Sequence, residues 1–302
     1  MYKSALFFLL KIKKYYKSIH IMDLSKPITI GYWSTKGLGS ACRQVVIYAG
    51  EKLISKNYKL QPIIDNDNVS FDDSDWSNKD KIELKKRNSL INLPYMEIVH
   101  DEGQKLLISQ SNACLLYLGR KFKMLGSNEV EQTRCEQLLL ETNDLRGIIT
   151  SFAYTHFKNK DLEREAAKEV FTRAFQKNDT GKMQKFEHWL SSNDNSIFLL
   201  NKNVSIPDFN LFDILDFYIE FLKHYNLVDV QNDDKILSAV GFPKLNKFFT
   251  DFKSLPKMKR YFNSILYLLP YTNKSANFGS GIKGNKWDFK YQIDNTPFEI
   301  IL

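Results

Sequence analysis

The sequence predicts two units: a compact α/β unit with a mixed sheet, followed by an all-helical unit. Short β-favouring runs interleave with helical runs before about residue 120, and after residue 128 the apolar periodicity is almost wholly helical. A chain of 302 residues also divides more naturally into two cores than one.

Residues 27–33 open the α/β unit as a strand, since Ile28, Thr29 and Ile30 favour extended backbone and Gly31 permits close backbone approach. Gly37 and Gly39 break the chain before a helical run over 41–48, which offers Val45, Val46, Tyr48 and the following Ala49 for burial. Residues 58–60 fit a second strand, and 61–80, rich in Asp, Asn and Ser, read as a long surface loop or short helical turns. A strand over 94–99 and a partner over 106–108 enclose a turn at 100–104. Ser111 then opens a helix carrying Leu115, Leu116 and Leu118.

In the second unit, residues 130–154 read as one long helix, with Gly147 as a point of bending. Residues 162–190 supply another helix or a pair, and 206–222, 243–253 and 256–262 supply later ones. The start at 204–209 is explicit. Ser205 caps the helix, Asp208 answers from the third helical position, and Val204 and Phe209 sit at the staple positions. Pro207 loses no intrahelical bond there, because first-turn amides are unpaired. This is a folding signal rather than a catalytic one.

Composition narrows the function. With 43 Lys and Arg against 35 Asp and Glu the formal charge is +8, but the cations are scattered. That suits anionic small molecules or peptides and argues against nucleic acid as the main partner. Cys42, Cys114 and Cys135 are far apart and odd in number, as expected of buried free thiols in a reducing, cytoplasmic setting. The five histidines show no paired ligand spacing, so no metal site is expected. The apolar run over 5–10 is too short to span a bilayer, and its lysines follow it rather than precede it. Residues 1–26 are set apart as an extension of uncertain role; a basic membrane-surface or targeting segment is one reading of them.

Chemistry points to strand ends. Tyr32 closes the first strand, where a side chain projects from a rigid sheet into a loop. Its hydroxyl there can donate to a sulfur anion and favour thiolate over thiol. A core tyrosine after Gly31 is the structural alternative. The Leu93–Pro94 bond, placed between a polar loop and a strand, can be cis and leave the Leu93 backbone free to pair with an extended peptide; a strand-entry proline is the plainer reading. Gln110 and Ser111 stand at a helix start suited to a carboxylate, although Ser111 or Ser109 can equally act as a cap. Cys42 competes as a nucleophile with Arg43 beside it, but its place inside a helical run favours a buried thiol.

Taken together, Gly31-Tyr32-Trp33, Asn92-Leu93-Pro94-Tyr95, Gln110-Ser111-Asn112-Ala113, and Ser205-x-x-Asp208 with Asp213 beyond it resemble the cytosolic glutathione transferases, most closely the mu class, over about residues 27–280. The resemblance implies a thioredoxin-like domain over 27–121, a linker over 122–128, an all-helical substrate and dimerisation domain over 129–280, and a tail over 281–302. It implies reduced glutathione as co-substrate with no prosthetic group, a small hydrophobic electrophile, and a homodimer without transmembrane insertion.

By the same resemblance Tyr32 stabilises the thiolate, while Trp33 approaches the glycyl end. Leu93, with Pro94 cis, pairs with the cysteinyl part, and Asn92 orders that edge. Gln110 and Ser111 hold the γ-glutamyl end, and Asp144 reaches the neighbour's γ-glutamyl ammonium, with a solvated helix residue as its plainer alternative. Tyr154 overlooks the electrophile as a second catalytic hydroxyl or a packing aromatic, Leu38 lies beside it, and Arg134 is a structural or surface cation. Trp76 is retained in the glycyl-end loop. However, Asp73 falls near an expected arginine and Asp80 on an expected lysine, so Lys79 or Lys81 would have to substitute. The expected reaction is aromatic substitution or conjugate addition; a non-catalytic carrier and a glutathione-dependent lipid isomerase are the alternatives.

Overall fold

A computed structural model describes residues 26–65, 68–100, 103–178, 180–192, 197–230, 232–280, 282–283, 286–287 and 299–302. The expectations for residues 1–25 and for most of the tail lie outside these.

The first unit is built on strands β1 (Ile28–Trp33), β2 (Leu53–Tyr58), β5 (Tyr95–Val99) and β6 (Lys105–Ser109). β1 runs parallel to β2 and antiparallel to β5, and β5 is antiparallel to β6, so the sheet is mixed as expected. Helices α1 (Ser40–Tyr48) and α3 (Ser111–Lys121) cover one face, packing Cys42, Val45, Val46, Leu115 and Leu118 with Ile28, Ile30, Met96 and Ile98. The other face carries a smaller cluster of Tyr58, Trp76, Ile91, Tyr95 and Leu107. Gly31 leaves room for the Tyr95 ring, which a Cβ there would overlap.

The second strand lies at Leu53–Tyr58 rather than at 58–60. Its buried polar residues Ser55 and Asn57 hide it from an apolar pattern, since they are spent on internal hydrogen bonds. The stretch over 61–80 contains a helical turn, one of the two forms expected of it, and a hairpin besides. It forms a hairpin, β3 (Gln61–Asp65) and β4 (Asn68–Asp72), then a wide helical turn at Asp75–Asp80 that continues into α2 (Lys81–Lys85).

Unforeseen, β9 (Glu299–Ile301) pairs antiparallel with β2 and makes the sheet order β6-β5-β1-β2-β9. Only a contact across the whole chain reveals it. A further short pair, β7 (Ile282–Lys283) and β8 (Lys286–Trp287), precedes it.

The second unit comprises α4 (Glu129–Ala153), α5 (Lys160–Phe175), α6 (Lys182–Ser191), α7 (Ile206–His224), α8 (Asp233–Ala239), α9 (Pro243–Lys253) and the short α10 (Lys259–Phe262). α4 is one helix, and Gly147 leaves its exposed side open rather than breaking it. α7 is the axis of the unit, buried over almost its whole length. The predicted start is present: the Asp208 carboxylate accepts from the Ser205 amide and hydroxyl, each at 2.7 Å, and from the Leu199 amide at 2.8 Å. Burial raises the Asp208 carboxyl to about 6, against the lowering effect of those donors. Among the described residues no helix is long and apolar enough to cross a membrane.

Candidate active site

Tyr32 leaves the end of β1 and turns under the loop at 36–39. Gly37 adopts φ +41°, and a Cβ there would lie 2.7 Å from the Tyr32 hydroxyl oxygen, so only glycine lets the loop close over the phenol. Burial raises the Tyr32 hydroxyl above its ordinary range, opposed by a hydrogen bond from the Leu38 backbone and by Arg146 and Arg43. The phenol is therefore neutral and a donor at neutral pH.

Second-unit groups fix this loop. The Lys36 and Gly37 amides donate to the Pro270 and Tyr271 carbonyls at 2.7 and 3.1 Å. Arg146 Nη1 reaches the Gly37 carbonyl at 3.4 Å, while its Nη2 pairs with Asp213 at 2.9 Å.

Around the phenol opens a cavity of about 400 Å³ whose wall includes Tyr32, Leu38, Ser111, Arg146, Tyr154 and Phe217. Tyr154, the residue that follows α4, lines the same space. The Asn273 amide donates to its oxygen at 3.0 Å, which leaves the Tyr154 proton free for another acceptor. Tyr271 stacks on Phe217 with centroids 4.8 Å apart, giving the cavity an aromatic wall. No local sequence pattern marks Arg146, Phe217 or Tyr271. A larger recess of about 470 Å³ lies beside the linker with Arg120, Lys123 and Glu131, but the Glu131 carboxylate is already held by Ser127 and no phenol or thiol faces it.

The edge expected to pair with an extended peptide lies at the Leu93–Pro94 bond. Leu93–Pro94 is cis, and Asn92 Oδ1 accepts from the Leu93 amide at 2.9 Å. Gln110 adopts φ +73° where β6 turns into α3, which places Ser111 at the helix start and on the cavity wall.

In the loop expected to meet the glycyl end, the side chains are engaged with one another. Trp76 is 2% exposed, stacked on Tyr95 and packed on Tyr58, so its ring supports the loop instead of facing a ligand. Asp80 accepts from the Tyr58 hydroxyl at 2.5 Å and lies 3.5 Å from Lys56, while Asp73 holds Ser77 at 2.6 Å. Lys79 is exposed and paired with Asp75 at 2.8 Å. Lys81 is half-buried at the start of α2, without an ion pair among the described residues. Trp33 is half-buried against the Tyr58–Trp76–Tyr95 cluster.

Asp144 is exposed on α4 and paired with Lys182 at 3.0 Å, so it is not simply solvated. Arg134 bonds Gln137 and lies over Trp189, as a surface cation would. Cys42 is fully buried, and contact with Cys114 together with burial raises its thiol, which removes it as a nucleophile. Among the described residues no His, Cys, Asp and Glu cluster could hold a metal.

A family model described as the glutathione S-transferase C-terminal domain matches residues 143–265. Glutathione S-transferase Mu 3 of Mus musculus is 29% identical over 255 residues, covering 84% of this chain and 99% of that protein. Glutathione S-transferase 2 of Gallus gallus is 29% identical over 238 residues, covering 78% and 90%. Among solved structures, the glutathione S-transferase Blo t 8 superposes with a TM-score of 0.63 at 17% identity, covering 83% of this chain and 99% of its own. The pi-class enzyme of Onchocerca volvulus superposes at 0.57 with 23% identity, covering 82% and 99%. The fold is thus a thioredoxin-like α/β domain followed by an all-α glutathione transferase domain.

Proposed function

We propose that this chain, which belongs to the glutathione S-transferase family and is similar to its mu-class members, binds reduced glutathione, holds the sulfur as a thiolate against Tyr32, and adds it to a small hydrophobic electrophile. The observation that carries this reading is that two phenols, Tyr32 and Tyr154, line one cavity that Ser111 also lines. Proximity and charge stabilisation do the chemistry, with no redox step.

Glutathione releases its thiol proton to solvent, and the neutral Tyr32 hydroxyl donates to the remaining sulfur lone pair. The thiolate forms the carbon–sulfur bond as the electrophile expels its leaving group or takes up negative charge on an acceptor atom. Tyr154, its oxygen already served by Asn273, donates its proton to that developing charge.

Binding is read along the edge. The Leu93 amide, capped by Asn92 in the free chain, exchanges that partner for the cysteinyl backbone beside cis Pro94. Gln110, Ser111 and the amides opening α3 take the γ-glutamyl carboxylate. Asp144 takes the ammonium of the neighbouring site in a homodimer, giving up Lys182. Trp33 and Lys81 serve the glycyl end, with Lys79 as a screened reserve. A cytoplasmic setting suits three buried, unpaired cysteines.

One feature favours a second reading, a glutathione or hydrophobic-ligand carrier. Asp73 and Asp80 stand where cations would hold the glycyl carboxylate, though Tyr58 and Lys56 already engage Asp80. Turnover against a panel of aromatic-substitution and conjugate-addition electrophiles, with Tyr32→Phe as comparison, separates the two. The transferase reading expects glutathione consumption that falls in the variant. Saturable glutathione binding with no consumption across the panel would establish the carrier.

A further inference from the structure

We propose that Arg43 is an electrostatic positioning residue, whose buried surplus positive charge behind Tyr32 favours the thiolate form of bound glutathione. The proposal rests on the reading of Tyr32 as the thiolate's partner.

Arg43 is 1% exposed on α1, and its Cζ lies 5.8 Å from the centre of the Tyr32 ring. Nη1 donates to the Thr35 carbonyl at 2.7 Å, and Nη2 donates to the Trp33 carbonyl at 3.1 Å and to Asn57 Oδ1 at 2.8 Å. All three acceptors are uncharged. Among the described residues no carboxylate comes within ion-pair distance of this guanidinium, an unusual state for a buried cation.

Its neighbours leave Arg43 without a carboxylate of its own, the Asp213 charge acting on it from beyond ion-pair distance. Arg146 on α4 is paired with Asp213 on α7 at 2.9 Å, and Lys36 with Asp216, also on α7, at 2.6 Å. Three cations thus face two carboxylates, and Arg43 is the one left over. The other titratable groups around Arg43 and Tyr32 are Cys42 on α1, Tyr154 on α4 and Tyr261 on α10. Each has its proton affinity raised and is neutral at pH 7. Burial lowers Arg43 itself only to about 10, so it stays protonated.

A structural account also exists, because the guanidinium gathers the carbonyls leaving β1. The two accounts differ in what they expect from a change of charge at fixed shape. Asn57→Asp keeps the oxygen that Arg43 bonds and adds a countercharge, losing only the Asn57 Nδ2 bond to the Ser55 carbonyl. Arg43→Lys keeps charge without the fork, and Arg43→Gln keeps a donor without charge.

The test is a pH titration of the ultraviolet thiolate band of glutathione bound at saturation to the full-length protein. Asn57→Asp and Arg43→Gln should raise the midpoint by about one pH unit, while Arg43→Lys stays near wild type. Coincident midpoints, or equal shifts in Arg43→Lys and Arg43→Gln, would overturn the proposal. If the Arg43 variants do not fold, Asn57→Asp alone decides it. A wild-type complex with no thiolate band would instead defeat the reading of Tyr32 on which the inference stands.

Discussion

Lys36 Nζ lies 2.6 Å from Asp216 Oδ2, and this buried pair ties the loop over Tyr32 to the axial helix of the second domain. Two aromatic rings enclose it. The ammonium sits 4.4 Å from the centre of Tyr267 and 4.1 Å from that of Tyr271, whose hydroxyl also donates to Asp216 at 2.9 Å. With the Pro270 and Tyr271 carbonyls holding the Lys36 and Gly37 amides, the geometry around Tyr32 depends on both domains being docked.

Removing one member of that pair leaves a buried charge unmatched. Asp216→Asn should cost about 3 kcal/mol in denaturant unfolding, the range seen when a buried ion pair loses one partner. Replacing both, as Lys36→Met with Asp216→Leu, should cost clearly less. Equal losses from the single and double replacements would contradict a coupled pair.

Asp208 gives the stability a pH signature. Its folded carboxyl titrates at about 6 against an ordinary 3.8, so between these values the folded chain holds a proton that the unfolded chain has released. The stabilisation linked to that proton is full below the lower value and is lost as pH rises through the upper one. Relative to Asp208→Asn, wild type should lose up to roughly 3 kcal/mol between acid and neutral pH. Urea unfolding of both proteins at each pH measures it, and parallel profiles would contradict the assignment.

Tyr154 should matter according to the electrophile. Tyr154→Phe removes a donor aimed at charge building on the acceptor, so conjugate additions should slow about tenfold, as expected for one hydrogen bond. Displacements that place the charge elsewhere should change less. Steady-state rates on one substrate of each kind provide the comparison, and equal effects would reduce Tyr154 to a wall residue.

Local signals in the sequence carried far. The β1 pattern ending at Tyr32, the Ser205–Asp208 start and the Gln110–Ser111 turn each announce themselves within a few residues, because caps and strand ends are local events. β2 escaped since Ser55 and Asn57 are buried for hydrogen bonding, which an apolar pattern cannot register. The β9 pairing and the Lys36–Asp216 pair join positions too far apart for any periodicity to link. Trp76 matched a binding position by sequence, yet Tyr58 and Tyr95 cover its ring. The surplus charge of Arg43 is a sum over three elements, visible only once they are packed.

The central claim is that the Tyr32 hydroxyl stabilises the glutathione sulfur as an anion. The most direct measurement is the pH midpoint of the thiolate absorbance of bound glutathione, in wild type and in Tyr32→Phe. Loss of one hydrogen bond to a charged group should raise that midpoint by about 1–2 pH units while glutathione still binds. An unchanged midpoint, with glutathione demonstrably bound to both proteins, would contradict the account.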